Sequence, residues 1–190
     1  MPAIFLVSDT HFGHAGVCRF THEDTGVKIR PWTDPDEMDE AMVRAWNETV
    51  RPTDKVYHLG DVVINRKALP IMNRLNGDKV LIRGNHDIFK DEDYTPYFRS
   101  LRGVHVMDGM ILTHIPIHED SLGRFGVNIH GHLHTQRVKK DGAIDPRYQC
   151  VCVEQTDFRP IRFEDVLVRI RAEGGIDLGF KNGNGTTQVS

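Results

Sequence analysis

The chain has 190 residues, and 24 Lys and Arg side chains against 27 Asp and Glu side chains give it a formal charge of −3. This balance excludes a polycationic nucleic-acid-binding protein, and no apolar run reaches the roughly 18 residues of a membrane span. Three cysteines do not make a disulfide framework, so we expect a reduced, soluble, cytoplasmic protein. The eleven histidines are the unusual feature, because histidine binds metals and transfers protons near neutral pH.

The first half of the chain alternates short apolar runs with helical patterns. Runs at 3–7, 56–59 and 80–82 predict buried strands. Apolar residues at helical spacing predict a helix over about 35–50. A second helix, burying Leu69, Met72 and Leu75, should end at Asn76-Gly77. The order strand, helix, strand, helix, strand predicts an α/β protein with a parallel sheet covered by helices.

The second half has a different rhythm, with short strand candidates close together. They lie at 104–107, 110–113, 127–130 and 149–153, and a helix is predicted around 163–171. This spacing predicts strands that pair more locally. We expect one domain over residues 1–173, followed by a flexible tail at 174–190 that is rich in Gly and Asn.

Polar side chains that can bind a metal follow the apolar runs where these end. They are Asp9, His11, Asp61, Asn85, His86, His114, His132 and His134. Because ligands bind at the carboxyl ends of strands in open α/β sheets, these side chains should converge. Each motif alone also fits a turn or a helix cap, but five such motifs in order favour a shared site. Carboxylate, amide and imidazole donors suit Mn, Fe, Zn or Ni better than calcium.

The complete series of motifs resembles that of the calcineurin-like metallophosphoesterases. The resemblance covers about residues 3–165 and rests on Asp9-Thr10-His11, Gly60-Asp61, Gly84-Asn85-His86-Asp87, Thr113-His114 and Gly131-His132-Leu133-His134. The compact size is similar to that of small stand-alone bacterial and phage members. The resemblance implies a four-layer α/β/β/α sandwich around two metal ions. It implies one metal held by Asp9, His11, Asp61 and His134, and the other by Asp61, Asn85, His114 and His132.

The resemblance also implies a reaction. Two divalent cations about 3.5 to 4 Å apart would activate a bridging hydroxide that attacks the phosphorus of a phosphate ester. Manganese is the first expectation for both ions, with Fe, Zn or Ni as alternatives. His86 is not assigned to a metal and is predicted to be catalytic, protonating the leaving oxygen. Asp87 either orients His86 or caps a helix.

Four further residues are candidates for contacts with the substrate or with the ligands. His14 either reaches a phosphate or lies in a solvated loop, and Arg83 and Arg124 are candidate phosphate contacts. His118 either supports His114 or is merely exposed. Buried positions are instead expected for His58, His130, Cys150 and Cys152.

The motifs predict the reaction but not the substrate. The expectation is a small phosphate ester, in particular a nucleotide-derived phosphodiester, with no long nucleic acid and no membrane as partner. The protein serine/threonine phosphatase branch carries an acidic residue and an arginine after its second motif, whereas Val62-Val63 follow Asp61. A DNA-capping domain, as in the repair nucleases, does not fit in 190 residues. Alternatives are a phosphomonoesterase and a non-catalytic interaction scaffold of the same fold, and the oligomeric state is not readable.

Overall fold

The computed structural model of the protein describes residues 2–22 and 24–175. In chain order the strands are β1 (Ile4–Val7), β2 (Lys55–His58), β3 (Asp78–Ile82), β4 (Ser100–Arg102), β5 (His105–Met107), β6 (Met110–Leu112), β7 (Asn128–His130), β8 (Lys139–Lys140), β9 (Ala143–Ile144), β10 (Tyr148–Cys150) and β11 (Ile161–Arg162). The helices are α1 (Pro35–Thr49), α2 (Asp91–Tyr94) and α3 (Phe163–Ala172). Short 3-10 helices cover Val17–Arg19, Arg66–Arg74, Glu119–Arg124 and Val153–Gln155.

The strands form two main sheets. The first has the order β11-β1-β2-β3-β4, in which β1 to β4 are parallel and β11 is antiparallel. The second has the order β10-β7-β6-β5, in which β10, β7 and β6 are parallel and β5 pairs with β6 as a hairpin. This mixture of parallel and antiparallel pairing confirms the α/β class and the predicted local pairing in the second half.

Side chains of the first sheet bury themselves in two clusters, because successive residues of a strand point to opposite faces. Phe5 and Val7 of β1 belong to a cluster that includes Met38, Met42 and Trp46 of α1. Leu6 belongs to the other cluster, which also holds residues of β6, β7 and α3. The helix α1 therefore packs on one face of the first sheet, and the second sheet packs on the other face. Since α3 shares the second cluster, the four-layer count stays a prediction.

The helix α1 matches its predicted span, and its start has a clear cause. Asp34 caps it by accepting a hydrogen bond from the backbone N–H of Asp36 at 3.0 Å, and Pro35 occupies the first turn. The second predicted helix is instead the 3-10 helix Arg66–Arg74, although Leu69 and Met72 are buried as expected. Pro70 lies inside it and cannot donate the backbone hydrogen bond that an α-helix needs there.

Within residues 2–22 and 24–175, no helix is both long enough and apolar enough to cross a membrane. Residues 176–190 of the predicted tail lie outside the described residues, so the tail and the boundary of the predicted domain stay predictions.

Candidate metal centre

The predicted metal ligands lie at one place, where the carboxyl ends of strands from both sheets meet. Asp9 follows β1, Asp61 follows β2, and Asn85 follows β3. His114 and His132 follow β6 and β7 of the second sheet. The backbone N–H of Ser8 donates to the carbonyl of Val151 at 3.0 Å, which ties the end of β1 to the segment after β10. Parallel strands from two sheets thus bring these distant loops together.

One group of candidate ligands consists of Asp9, His11 and His134, which we call the first trio. Their ligand atoms lie within 4.8 Å of one another. Oδ1 of Asp9 is 3.8 Å from Nε2 of His11 and 3.9 Å from Nε2 of His134. Among the described residues this Asp9 oxygen and both ring nitrogens of His11 are buried without a hydrogen-bond partner. Unpaired buried polar atoms are costly, so their convergence fits a bound cation.

A second trio consists of Asp61, His114 and His132, whose ligand atoms also lie within 4.8 Å of one another. Oδ2 of Asp61 is 3.4 Å from Nε2 of His114. The side-chain oxygen of Asn85 is 2.9 Å from that same nitrogen, so the amide adjoins this trio. The donors are oxygen and nitrogen atoms only, which fits a divalent transition metal.

The carboxylate of Asp61 lies between the two trios. Its Oδ2 is 3.7 Å from Nε2 of His11 and 3.4 Å from Nε2 of His114. One oxygen atom thus faces a histidine of each trio. This is the arrangement expected of a carboxylate that is shared by two cations.

Two of the histidines have their orientation set by the ring nitrogen that faces away from the centre. Nδ1 of His114 lies 2.7 Å from the carbonyl of Leu59, which can only accept, so this nitrogen donates. Nδ1 of His134 lies 2.9 Å from the carboxylate oxygen Oε1 of Glu154, so this nitrogen donates as well. In both rings Nε2 is left to face the centre, as metal-binding histidines usually require.

The backbone around the centre is in an uncommon conformation. Five of the candidate ligands have a positive φ: Asp9 (59°), His11 (49°), Asp61 (57°), His132 (68°) and His134 (50°). Gly131 has no room for a side chain, because a Cβ there would lie 2.5 Å from Oδ2 of Asp9. Such strained residues cluster at functional sites, where the surrounding structure holds them in place.

His86 is next to the carboxylate of Asp61, with its side chain half exposed. Its Nε2 is 4.0 Å from Oδ2 of Asp61, and its backbone N–H donates to Oδ1 of Asp61 at 2.9 Å. The carboxylate of Asp87 contacts backbone groups. It accepts hydrogen bonds from the backbone N–H groups of Asp61, Val62 and Gly84 at 2.8 to 3.1 Å. It therefore joins the loops after β2 and β3. The sequence predicts that Asp87 either orients His86 or caps a helix, and neither prediction includes this connection.

The electrostatics of the centre favour positive charge. Burial by itself would raise the pKa of Asp9, but contact with His11 and the charges of nearby histidines hold that pKa well below its usual range. Burial would lower the pKa of His134, yet its hydrogen bond to Glu154 raises it. The pKa of His114 is likewise raised by Asp61 against the effect of burial. Burial instead lowers the pKa of His132. A site that holds its carboxylates ionised attracts divalent cations.

Two charged residues behind the first trio were not singled out from the sequence. Arg30 is fully buried and donates from Nε to Oε1 of Glu154 at 2.7 Å. It also donates to the backbone carbonyls of Asp9 and Thr10 at 2.6 and 2.9 Å. The same Glu154 oxygen holds His134, so Arg30 and Glu154 fix two members of the first trio. The position of Glu154, directly after the predicted strand at 149–153, is the signal that could have revealed it.

The four further candidates from the sequence differ in how close they lie to the centre and in how exposed they are. The ring of His14 is 5.6 Å from that of His11, and burial lowers its pKa, so it adjoins the first trio. Nη2 of Arg83 donates to Oδ1 of Asp91 at 2.5 Å. Arg124 is exposed beside Phe125. The His118 side chain is largely exposed and accepts from the backbone N–H of Asp120 at 3.3 Å, as a helix cap.

The residues that were expected to be buried are so. His58 is fully buried between Thr10, whose Oγ1 is 3.0 Å from its Nε2, and the N–H of Gly60, which donates to its Nδ1 at 3.2 Å. Burial lowers the pKa of His58 to about 3 and that of His130 to about 4. Cys150 and Cys152 form a buried pair of free thiols.

Comparison with known proteins identifies the family. A family model described as calcineurin-like phosphoesterase matches residues 2–174. An uncharacterized protein of Methanocaldococcus jannaschii is 31% identical over 182 residues, which cover 93% of this chain and 95% of that protein. The crystal structure of a protein of unknown function from Aquifex aeolicus has a TM-score of 0.64 at 24% identity, covering 88% of this chain and 99% of that one. A metallophosphoesterase from Sphaerobacter thermophilus has a TM-score of 0.38 at 12% identity, covering 91% and 95%.

The chain therefore belongs to the calcineurin-like phosphoesterase family, which confirms the resemblance drawn from its motifs. It is a metal-dependent phosphoesterase, and two groups of its residues can each hold a metal ion.

Proposed function

We propose that the protein hydrolyses a phosphodiester with two divalent cations in the centre described above. The first cation would be held by Asp9, His11, Asp61 and His134, and the second by Asp61, Asn85, His114 and His132. The observation that carries this proposal is the Asp61 oxygen that faces a histidine of each trio at 3.7 and 3.4 Å. A carboxylate shared in this manner fits two cations better than one.

Each part of the centre has a role in this proposal. When bound, the two cations supply a water of lowered pKa as the nucleophile and positive charge for the phosphate oxygens. Asp61 keeps the two sets of ligands at a fixed separation. His86 reaches the centre from its half-exposed position and donates a proton to the leaving oxygen. Manganese is the proposed metal, because the donors are carboxylate, amide and imidazole groups; Fe, Zn and Ni are alternatives.

A cavity beside the first trio supports a substrate larger than inorganic phosphate. It has a volume of about 740 Å³ and is lined by His132, His134 and Phe20, among others. The ring of Phe20 is 43% exposed and lies perpendicular to that of His134, with 6.2 Å between ring centroids. Such an aromatic wall can contact a planar group, so we propose a small or nucleotide-derived phosphodiester as substrate.

The proposal is tested by assaying the purified protein after its metal has been removed and after Mn²⁺ has been added. We expect no hydrolysis without metal, and faster hydrolysis of an aryl phosphodiester and of 2′,3′-cyclic nucleotides than of an aryl phosphomonoester. Faster hydrolysis of the monoester would instead favour the phosphomonoesterase alternative. If the protein binds Mn²⁺ and cleaves none of these esters, the proposed function is wrong and an interaction scaffold of this fold is favoured.

A further inference from the structure

Two buried thiols lie directly behind the first trio and have no role in the proposed reaction. Sγ of Cys152 is 3.1 Å from Oδ2 of Asp9, and Sγ of Cys150 is 3.3 Å from Sγ of Cys152. Both cysteines are free and completely buried. The contact with Asp9 is set by the backbone, since Val153 donates its N–H to the carbonyl of Ser8 at 3.1 Å, next to Asp9.

The direction of these hydrogen bonds follows from the chemistry of the partners. An ionised carboxylate can only accept, so the S–H of Cys152 donates to Asp9. The sulfur of Cys152 is then left to accept from the S–H of Cys150. Cys150 also lies 3.8 Å from the carbonyl oxygen of His134. The thiol pair thus connects Asp9 and His134, two members of the first trio.

The contact decides which oxygen of Asp9 is free for a metal. Oδ2 accepts two hydrogen bonds, one from Cys152 and one from the backbone N–H of His132 at 2.8 Å. Oδ1 has no hydrogen-bond partner among the described residues and faces Nε2 of both His11 and His134. With Oδ2 occupied, the carboxylate cannot rotate without losing both donors.

We propose that Cys152 is a positioning residue for the first metal site, whose S–H holds Oδ2 of Asp9 so that Oδ1 points to the cation, with Cys150 supporting it. This inference rests on the proposed two-cation function. Among the candidate ligands in the described part of the chain, the thiols form hydrogen bonds with Asp9 and His134 of the first trio, whereas Asp61 of the second trio is held by the backbone of His86. Loss of the Cys152 thiol should therefore weaken one metal site and not the other.

The test is a calorimetric titration of the metal-free protein with Mn²⁺ alone. Cys152→Ala should weaken one binding event by about tenfold, which is the usual effect of removing a group that orients a metal ligand. Cys152→Ser keeps a donor of similar size and should bind like the unaltered protein. His11→Ala serves as a reference, because the event that it weakens belongs to the first trio. Cys18→Ala is the matched control, since that buried thiol contacts Met38 instead.

Three results of the titration would overturn the inference. They are equal weakening of both binding events in Cys152→Ala, an unchanged titration in that variant, and a loss in Cys152→Ser as large as in Cys152→Ala. A sulfur-to-metal charge-transfer band with Co²⁺ in place of Mn²⁺ would also overturn it, because it would make a thiolate a ligand rather than a support.

An infrared measurement on the folded, metal-free protein covers the case in which Cys152→Ala does not fold. The S–H stretching band should contain a component shifted by a strong acceptor, which disappears in Cys152→Ser and persists in Cys18→Ala. Absence of that component from the unaltered protein would overturn the inference. If the unaltered protein binds only one Mn²⁺, the proposed two-cation function fails, while the infrared result still decides whether Cys152 holds Asp9.

Discussion

Oδ1 of Asp61 accepts a hydrogen bond from the backbone N–H of His86 at 2.9 Å, so the carboxylate proposed to bridge two cations also fixes the start of the loop that carries the proposed acid. One hydrogen bond thus links the proposed metal bridge to the position of the proposed proton donor. Displacing Asp61 should therefore disturb both the metal centre and the position of His86.

Replacing Asp61 with asparagine tests the bridge. Asp61→Asn keeps an oxygen that can accept from His86 but removes the charge shared by the two trios. We expect loss of activity and of both bound metals, measured by elemental analysis of the purified protein. Asp120→Asn, at a largely exposed carboxylate, should retain both. Full metal content in Asp61→Asn would contradict the bridging role.

Replacing His86 with alanine tests the proton donor. His86→Ala should leave the metal content nearly unchanged and slow hydrolysis by about 10² to 10⁴-fold for diesters with poor leaving groups. A p-nitrophenolate leaving group needs little protonation, so the hydrolysis of a p-nitrophenyl diester should be slowed much less. His118→Ala is the control, because that histidine is exposed and caps a 3-10 helix. Equal slowing for good and poor leaving groups would speak against His86 as the acid.

Replacing Glu154 with glutamine tests the charged pair behind the first trio. Glu154→Gln leaves the buried guanidinium of Arg30 without its ion pair and His134 without its charged acceptor. We expect about 3 to 5 kcal/mol less free energy of unfolding and a 10- to 100-fold weaker metal affinity. Denaturation and Mn²⁺ titration measure the two effects.

The control for this prediction is Glu119→Gln, which breaks half-exposed ion pairs with Lys140 and Arg147. Surface pairs of this kind contribute little to stability because solvent screens them, so little change in the free energy of unfolding is expected. A loss in Glu154→Gln no larger than in Glu119→Gln would show that the buried pair does not support the centre.

Replacing Phe20 with leucine tests the aromatic wall of the cavity. Phe20→Leu should reduce kcat/KM for the p-nitrophenyl ester of a nucleoside monophosphate by about tenfold, the usual effect of losing a base-stacking ring. The p-nitrophenyl methyl diester, which has no ring beyond the leaving group, should be unaffected. Val27→Ala, at another exposed apolar residue, is the control. An equal loss for both diesters would contradict a contact with the nucleobase.

The pH dependence of stability should carry a contribution from Asp39. Its carboxylate accepts from the N–H of Gly13 at 2.8 Å, but burial outweighs this bond and raises its pKa from 3.8 to about 6. The folded chain then holds this proton more tightly than the unfolded chain. Asp39 therefore stabilises the fold below about pH 4, and this contribution is lost as the pH rises to about 6, by at most about 1.4 kcal/mol per pH unit.

The measurement is the free energy of unfolding of Asp39→Asn and of the unaltered protein between pH 4 and 6. The difference between the two curves should change with pH in this interval and become constant above it. Parallel curves would show that the carboxyl of Asp39 titrates normally.

The sequence was sufficient to predict that the candidate ligands after the strands would lie close together. Asp9, Asp61 and His114 could be placed together because buried strands are marked by apolar runs, and parallel strands bring their carboxyl ends to one edge. The apolar spacing predicted the helix that contains Pro70 but not its type, and the chain forms a 3-10 helix there that ends at Arg74.

Contacts between distant segments could not be predicted in the same manner. Arg30 and Glu154 are 124 residues apart and belong to no shared motif, so only the folded chain shows that they pair. Cys152 was expected to be buried, but its contact with Asp9 depends on how the segment after β10 runs beside the end of β1. Packing of this kind carries no local sequence signal.

The left-handed backbone of the five ligands has a consequence for the evolution of the chain. Each such residue other than glycine costs about 1 to 3 kcal/mol of conformational energy. Glycine at His132 or His134 would relieve that cost and remove a ligand at the same time. Selection for thermal stability alone would therefore act against the proposed metal centre.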